Sequence, residues 1–235
     1  MKYQKEVLLK DGTKCLLRGA GERDAAEILR CFHLTHAETD YLLTYPEENL
    51  FTEADEAKFL KASEESANAI EIGAFVDGKV IGSAGIEPLG DKEKLRHRAD
   101  FGIAVEKAYW GKGIGRALTL ACIECAKQAG FSQLELEVVA ENAAAVRLYE
   151  AAGFREYGRN PRGFLSRRGW QENHSAKEKM DFLKHEYGTG GHSHACSGAT
   201  HSGQDHDAKG VAYTKSGCDK LQMSWAQVVQ RIDGL

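Results

Sequence analysis

The sequence lacks the features that mark membrane, secreted and nucleic-acid-binding proteins. No apolar run approaches the length of a membrane-spanning helix, and the first residues, Met1–Glu6, lack the apolar core of a signal peptide. The formal net charge is -4, so the basic excess that nucleic-acid binding normally requires is absent. We therefore expect a protein whose partners are neither membranes nor nucleic acids.

Internal repeats and regularly spaced cysteines are also missing. We find no repeat, and the six cysteines are scattered along the chain. Two of them, Cys122 and Cys125, lie on one predicted helix, where we expect them to pack in the core. Reduced thiols of this kind predict a cytoplasmic protein.

The composition changes along the chain. Dense strand and helix patterns run up to about Trp170, whereas six of the nine histidines lie between His174 and His206. Residues 188–203 are rich in Gly, Ser and Thr. We therefore predict a first domain over 1–172 and a small His/Gly-rich module over 173–235, either α+β or partly disordered.

Hydrophobic periodicity predicts the elements of the first domain. In chain order they are a strand at Cys15–Arg18, helices at Gly21–His36 and from Thr52 to about Ser66, a hairpin of Ile70–Val76 with Lys79–Ile86, a strand at Asp100–Val105, a helix at Gly113–Ala129, a strand around Leu134–Val138, a helix at Asn142–Ala152 and a strand at Phe154–Arg159. This order predicts an α/β (α+β) fold, with one mixed central sheet and helices on both faces.

A glycine-rich loop separates the strand at Asp100–Val105 from the next helix. Gly111, Gly113 and Gly115 leave this turn without Cβ atoms, so a phosphate group can approach the N–H groups at the helix start. Lys112 and Arg116 add positive charge there. The spacing is neither the Rossmann fingerprint nor a P-loop. Taken alone, the loop is equally compatible with a tight turn into a helix.

A second motif follows from Asn142 to Phe154 and has the form Asn-x-x-Ala-x-x-Leu-Tyr-x-x-x-Gly-Phe. With the glycine loop it resembles the GNAT superfamily of acetyl-coenzyme A-dependent N-acetyltransferases. The family's loop, Arg/Gln-x-x-Gly-x-Gly/Ala, is matched from Gly113 onward, and Trp110 stands where the family often has Arg or Gln. The resemblance covers roughly residues 14 to 170 and implies the GNAT fold, with acetyl-CoA as cosubstrate.

The resemblance also implies roles for particular residues. The strand ending at Ile103, Ala104 and Val105 would separate from its neighbour at a bulge and pair with the pantetheine amides. The pyrophosphate would lie on the loop, and α-helical residues would form the rest of the cofactor wall. The implied cofactor-binding residues are Ile103, Ala104, Val105, Gly111, Lys112, Gly113, Ile114, Gly115, Arg116, Asn142, Ala145 and Tyr149. No metal is expected.

The implied reaction is direct attack of an amine on the acetyl carbonyl. Tyr149 would protonate the departing thiolate, because a phenol keeps its proton at neutral pH; the alternative is an ordinary buried aromatic. A backbone N–H near Ala104 or Val105 would bind the oxyanion. Three candidates for the catalytic base remain open: Glu87, Asp100 and His97. Asp100 could equally be a surface carboxylate paired with a nearby arginine.

The acceptor is weakly encoded. An acidic cluster near the first two helices, Glu38, Asp40, Glu47 and Glu48, would favour a cationic acceptor such as a polyamine, an aminoglycoside or a protein amine. The same cluster is also compatible with a solvated surface. We expect a primary amine of a small molecule or a protein as acceptor. Whether the chain forms a homodimer is left open by the sequence.

The C-terminal segment does not show the final strand that the family fold implies. Polar residues follow Trp170, and a helix is predicted over Ser175–Tyr187, so the sheet would be one strand short or completed by a segment such as Gly210–Tyr213. An alternative function follows: a catalytically weak or inactive acetyl-CoA-binding GNAT remnant whose C-terminal module mediates an interaction.

The same segment has other predicted features. Glu186–His194, with Asp205–Gly210, resembles a short module in helicase or methylase-like proteins of bacterial mobile elements, which implies a fusion. Further elements are predicted there, namely short strands at Val211–Thr214 and Leu221–Met223 and a last helix from Ser224. Its metal-ligand residue types, His192, His194, Cys196, His201, His206 and Cys218, match no zinc spacing.

Overall fold

The computed structural model describes residues 1–179, which form eight strands and four helices. The strands are β1 Gln4–Leu8, β2 Lys14–Gly19, β3 Ile70–Val76, β4 Lys79–Pro88, β5 Arg98–Val105, β6 Gln133–Val139, β7 Arg155–Ser166 and β8 Gly169–Lys179. The helices are α1 Ala25–Ala37, α2 Glu53–Glu65, α3 Ile114–Gln128 and α4 Ala143–Ala152. None of these helices is long and apolar enough to cross a bilayer.

All eight strands belong to one sheet in the order β1-β2-β3-β4-β5-β6-β8-β7. The neighbouring strands pair antiparallel except β5 and β6, which pair parallel and are connected by α3. A parallel pair needs a crossover connection, and α3 provides it. The sheet is therefore mixed, with helices on both faces, as the sequence predicts.

The two faces of the sheet differ in chemistry because side chains alternate along each strand. On β5, Phe101 and its neighbours at odd positions pack with α3 in the larger apolar core, whereas Asp100 and Gly102 face the side of α1 and α2. The same alternation on β6 buries Leu134 and Leu136 in that core. We call these the α3/α4 face and the α1/α2 face. The α1/α2 face carries the carboxylates of the central strands.

The β3–β4 hairpin is the one that the Asp77-Gly78 pair predicts. Both residues have positive φ, 50° at Asp77 and 81° at Gly78. A two-residue turn of this kind matches the twist of its strands, and Asp-Gly tolerates the left-handed backbone that it requires. On its other edge, β4 pairs antiparallel with β5 from Gly82 to Pro88.

The predicted core position of the cysteine pair on α3 is confirmed. Cys122 and Cys125 are both fully buried in the larger core, and all four cysteines of the described residues are free. Helix α2 begins as predicted at Thr52, whose side chain accepts the Asp55 N–H in a capping box. The sequence missed β1, which pairs with β2 at the edge of the sheet.

The prediction that the final strand is missing was wrong. Residues Gly169–Lys179 form β8, which pairs with both β6 and β7, so the helix predicted from Ser175 is a strand as far as Lys179. The sequence does not show β8 as a strand because its side chains are mostly polar. On the α1/α2 face, β8 contacts β6 through a hydrogen bond from Asn173 to Glu137 and not through apolar side chains. Only Ala176 joins the core from this strand.

The domain division stays a prediction. Position 172 lies inside β8, so the sheet continues past the predicted boundary to Lys179. The mobile-element resemblance, the histidine cluster, and the elements predicted beyond Lys179 lie outside the described residues.

Gly82 gives a test of how closely β4 and β5 pack. A Cβ at Gly82 would lie 2.9 Å from the Ala104 carbonyl oxygen and 3.1 Å from Val105 Cγ2. Because a backbone atom cannot move aside like a side chain, Gly82→Ala should lower the free energy of unfolding by about 1–3 kcal/mol. Urea denaturation measures this, with Gly158→Ala as control because no atom lies within 4 Å of its added Cβ. Equal loss in both variants would contradict the packing argument.

Candidate active site

The central feature of the site is the separation of β5 from β6. Their parallel pairing covers only Arg98 to Asp100, opposite Gln133 to Glu135. Beyond it β5 continues to Val105 and β6 to Val139 without a partner between them. We call the space between residues 101–105 and 136–139 the gap. At about 3.3 Å per residue, the free part of β5 is roughly 17 Å long.

Backbone alternation decides which groups of β5 face the gap. The Glu106 N–H donates to Ile81 and the Leu89 N–H to the Arg98 carbonyl, so even-numbered residues of β5 bond to β4. The N–H groups of Ile103 and Val105 therefore point into the gap. Ala104 points its N–H toward β4, which removes it as an oxyanion donor. The predicted bulge is also absent, because the β4–β5 register is continuous.

The closed end of the gap is fixed by a cluster around Glu135. Arg98 makes a two-pronged ion pair with the Glu135 carboxylate, and Gln133 and the Tyr157 hydroxyl also donate to it. Although burial opposes ionisation, the hydrogen bonds from Arg98 and Gln133 lower the pKa of Glu135. Asp100 stands directly beside this cluster in the parallel register. Strands β5 and β6 are therefore held together at this end and are unpaired at the other end.

The open end of the gap meets the start of α3. Gly111 and Gly113 have positive φ, 76° and 98°, and Gly113 is the N-cap residue of α3 without a side-chain cap. The first N–H groups of a helix have no partner inside it, and α2 and α4 cover theirs with Thr52 and Asn142. The uncapped amides of α3 therefore remain available to an anion, as the loop pattern predicts.

The remaining loop residues have distinct surroundings. Lys112 forms an ion pair with Asp11 at 3.2 Å and lies over the Tyr109 ring, so its charge is partly used within the protein. Arg116 is exposed and makes no ion pair with the described side chains, those of residues 1–177. A Cβ at Gly115 would lie 3.0 Å from Leu148, so this glycine also allows α4 to approach α3.

Trp110 closes the mouth of the gap. Its indole Nε1–H donates to the Val105 carbonyl at 2.7 Å, and its ring is 47% exposed. Because Val105 is the last residue of β5, the indole occupies a backbone acceptor that would otherwise face the gap. The residue that departs from the family motif is therefore built into the edge of the site.

Tyr149 reaches the site from α4 on the α3/α4 face. Its ring packs edge-on against Phe101 at 6.1 Å and beside Phe154 at 5.8 Å, where Phe101 is the first residue of β5 beyond the paired segment. Burial raises the pKa of Tyr149, which keeps the phenol protonated. The hydroxyl makes no hydrogen bond within the described residues.

Asn142 and Ala145 belong to the first turn of α4. The Asn142 side chain accepts the Ala145 N–H at 3.2 Å, so it caps the helix that carries Tyr149. Ala145 packs against the larger core. Both residues thus shape the site by fixing α4.

Glu87 and Asp100 lie together on the opposite, α1/α2 face. They are directly opposite one another in the β4–β5 register. Burial raises the pKa of Glu87 to about 7. Burial and the nearby charges of Glu87 and Glu137 raise the pKa of Asp100 to about 7. Two carboxyls in this arrangement can hold and release a proton near neutral pH.

Sequence reasoning missed Glu137. It is exposed although it lies on β6, a central strand, and its carboxylate accepts from Asn173 Nδ2 at 2.8 Å. Asn173 comes from β8 and is buried, and its Oδ1 has no partner within the described residues. A charged residue in the middle of an apolar alternation was the available signal. Its neighbour Asn173 could not be paired with it without knowing β8.

The geometry can be compared with known proteins. A family model, the acetyltransferase (GNAT) family, matches residues 32–154 of this chain, which include β5, the glycine loop, α3 and α4. That span exceeds half of the 235 residues.

The chain belongs to the GNAT acetyltransferase family.

Curated GNAT relatives match over shorter segments. The chain is 34% identical over 82 residues to the L-amino acid N-acetyltransferase AaaT of Escherichia coli K12, which is 34% of this chain and 50% of that protein. It is 48% identical over 56 residues to the E. coli K12 [ribosomal protein bS18]-alanine N-acetyltransferase, 24% of this chain and 38% of that one. The matched segments thus span half or less of these relatives.

Solved GNAT structures match over nearly their whole length. A GNAT-family acetyltransferase from Streptococcus pneumoniae has a TM-score of 0.68 and 31% identity, covering 71% of this chain and 99% of that one. A putative acetyltransferase from Salmonella typhimurium, solved with its cofactor acetyl-CoA, has a TM-score of 0.65 at 19% identity, covering 72% and 96%. The second likeness concerns the fold alone.

The GNAT fold places the predicted acidic cluster beside the β7–β8 turn, where arginines neutralise part of it. Arg168 pairs with Asp40 at 2.7 Å, and Arg167 pairs with Glu47. Glu38 accepts the Lys107 N–H at 2.6 Å. The cluster therefore does not present four free carboxylates, and much of it links the segment after α1 to the sheet.

A cavity of about 440 Å³ lies at the mouth of the gap on the α1/α2 face. Its walls come from the segment after α1, the end of β5, the end of β6 and the β7–β8 turn. The lining includes three partly exposed aromatic rings, three carboxylates and two cations, namely Tyr41, Trp110, Trp170, Glu38, Asp40, Glu141, Lys107 and Arg168. His97 lies elsewhere, exposed before the start of β5 at the closed end.

The capping role of Asn142 can be tested by stability. Replacing Asn142 with alanine leaves the Ala145 N–H without its acceptor and should lower the free energy of unfolding by about 1 kcal/mol. Asn142→Asp keeps an oxygen at the same place and should lose little. Urea denaturation of both variants measures the difference; no loss with alanine, or an equal loss with aspartate, would argue against the cap.

Proposed function

We propose that the chain is an acetyl-CoA-dependent N-acetyltransferase that moves the acetyl group to a primary amine of a small molecule or a protein. The observation that carries this proposal is the continuity of the gap with the uncapped start of α3. The gap exposes unpaired backbone groups of β5, and the helix start exposes amides for an anion. A long amide-containing molecule that ends in a pyrophosphate matches both parts.

The residues that would hold acetyl-CoA follow from this arrangement. The N–H and carbonyl of Ile103 and the N–H of Val105 can pair with the pantetheine amides as an added strand would, whereas the Val105 carbonyl is occupied by the Trp110 indole. The amides of Gly113, Ile114 and Gly115 can bind the pyrophosphate, assisted by Arg116. When bound, acetyl-CoA supplies an acetyl group activated as a thioester. The chain's own groups must then orient the amine, take its proton and protonate the thiolate.

The acceptor amine approaches from the α1/α2 face. The 440 Å³ cavity opens there. Because Arg168 pairs with Asp40, the remaining charged side chains of its lining are two carboxylates, Glu38 and Glu141, and one cation, Lys107. This small acidic excess and the three aromatic rings suit a cationic amine. Glu137 is an exposed carboxylate of β6 that borders the gap, so we assign it to the binding of the incoming ammonium. Asn173 positions this carboxylate from β8.

The Glu87–Asp100 pair acts as the base. An ammonium must lose one proton before its nitrogen can attack, and a group with a pKa near 7 both accepts and releases a proton at neutral pH. The pair meets this requirement, and a water molecule can carry the proton from the amine to it. The N–H groups of Ile103 and Val105 that face the gap are the candidates for the oxyanion donor.

Tyr149 acts as the acid on the other face. As the new N–C bond forms and the C–S bond breaks, the thiolate takes the phenolic proton from Tyr149. Burial keeps this phenol protonated at neutral pH, so the proton is present when the thiolate develops. The amine's proton and the thiolate's proton are therefore handled on opposite faces of the sheet, and the gap joins them.

The alternative of an inactive GNAT remnant was motivated by the missing final strand. Because β8 fills that position and also contributes Asn173, the motive for preferring it is removed. The two curated relatives support the same choice, since both are N-acetyltransferases.

Turnover tests the proposal directly. The full chain should release coenzyme A thiol from acetyl-CoA when a panel of amines is supplied, with cationic amines the best acceptors. Tyr149→Phe should lower kcat by roughly 10²-fold or more with little change in acetyl-CoA affinity. Tyr157→Phe, a matched change at the closed end, should keep kcat within about twofold of wild type. Full activity of Tyr149→Phe would show that Tyr149 is not the acid. Absence of turnover with every amine, by a folded chain, would contradict the proposed function.

The pH dependence separates the base from the ammonium site. Because the pair must be deprotonated to act, kcat/KM should rise with pH through about 7 and then level off. Asp100→Asn should abolish most activity at all pH values, and Glu87→Gln should displace the rising limb. Glu137→Gln should raise KM for the amine and keep the limb. If Glu137→Gln alone removes the limb, the two roles are assigned the wrong way round.

A further inference from the structure

The turn between β7 and β8 carries two adjacent arginines, Arg167 and Arg168, and both reach the segment after α1. Arg167 is fixed there by several contacts. Its guanidinium pairs with Glu47 and lies 3.7 Å from the centre of the Tyr45 ring, and its backbone N–H donates to the Tyr45 hydroxyl at 2.7 Å. Arg167 therefore attaches the turn to the segment.

Arg168 is held much more weakly than Arg167. Its side chain is 85% exposed, and among the described side chains its one ion pair is with Asp40, at 2.7 Å from Nε to Oδ2. Oδ2 of Asp40 is buried, yet it accepts no hydrogen bond from any group within the described residues. The Arg168 guanidinium is thus held by charge without an aligned hydrogen bond. Exposed pairs of this kind contribute little stability, so another cation can displace it.

The Arg168–Asp40 pair belongs to the lining of the acceptor cavity. Tyr41, which follows Asp40, and Trp170, two positions after Arg168, line the same cavity and have exposed rings. Carboxylates and aromatic faces are the groups that bind an ammonium or guanidinium ion in proteins. The protein's own guanidinium therefore occupies a place that suits a cationic group of a ligand.

This place differs from the one that we assign to the reacting ammonium. Glu137 binds that ammonium beside the gap, and it does not line the cavity. The cavity therefore receives the rest of the acceptor. Of the other carboxylates in its lining, Glu38 already accepts the Lys107 N–H and Glu141 is exposed to solvent. Asp40, with its buried oxygen, is the carboxylate where solvent screens a second cation least.

We propose that Arg168 competes with the acceptor, because its guanidinium occupies Asp40 until an amine with a second cationic group displaces it. The preferred acceptors are then diamines, with one ammonium at Glu137 and the other at Asp40. Displacement exchanges one ion pair for another and leaves the Arg168 side chain in the solvent to which it is already largely exposed. The inference rests on the proposed function and adds the class of acceptor and the residue that selects it.

Steady-state turnover by the full chain tests the proposal, with 1,4-diaminobutane and 1-aminobutane as acceptors. The wild type should have the lower KM for the diamine. Arg168→Gln should lower this KM further, by roughly 2- to 5-fold, because an exposed ion pair no longer has to be broken. The same variant should change the KM for 1-aminobutane by less than about 1.5-fold. Arg155→Gln is the matched control, since Arg155 is an exposed arginine of β7 outside the cavity.

Variants of Asp40 separate competition from a general effect of charge. Asp40→Asn should raise the KM for the diamine toward that for 1-aminobutane, and adding Arg168→Gln should then give no further gain. An unchanged or higher KM for the diamine in Arg168→Gln, or a gain that persists in the Asp40→Asn background, would overturn the proposal. Equal KM values for the two amines in the wild type would overturn it while leaving acetyl transfer intact. If the folded chain acetylates no amine, the proposed function and this inference fail together.

Discussion

The site depends on two neighbouring strands, β5 and β6, that pair at one end and separate at the other. Arg98 holds Glu135 where β5 and β6 pair, and the pairing ends at Glu135 itself, opposite Asp100. Unpaired strand backbone normally invites association, and proteins usually cover or interrupt it. Here the unpaired stretch is short, internal and closed by the Trp110 indole at its far end. A ligand with its own amides is the natural partner for such backbone.

The proposed acid, Tyr149, and the proposed base, the Glu87–Asp100 pair, lie on opposite faces of the sheet because side chains alternate along a strand. Asp100 and Phe101 are neighbours in sequence, so one side chain must face α1 and α2 and the other must face α3 and α4. Tyr149 packs on Phe101, and Glu87 stands beside Asp100. One strand thus separates a polar half-site from an aromatic one. The carboxylates that would accept the proton of the amine and the phenol that would protonate the thiolate therefore lie in different local environments, although Asp100 and Phe101 are adjacent in sequence.

The sequence was sufficient for the parts of the molecule that depend on local pattern. The hairpin at Asp77-Gly78, the cap at Thr52 and the open helix start after Gly113 each follow from residues close together in the chain. The pairing of β8 does not follow from local pattern, because the Asn173 side-chain amide donates to Glu137, which is 36 positions away. The ion pairs of Asp40 and Glu47 likewise join distant segments. The direction of a backbone N–H also depends on which strand pairs with which. The sequence therefore predicts the Ala104 N–H as a possible oxyanion donor, although in the structure this N–H points toward β4.

The position of β8 has a consequence for how the molecule is made. It is the last described strand of the chain, yet it lies between β6 and β7 rather than at an edge. During synthesis β7 therefore emerges before the strand on which it must pair. We expect β1 to β6 with α1 to α3 to assemble first, and β7 to wait as an unpaired segment until β8 arrives. Glu137 would acquire its hydrogen bond from Asn173 only when β8 joins the sheet.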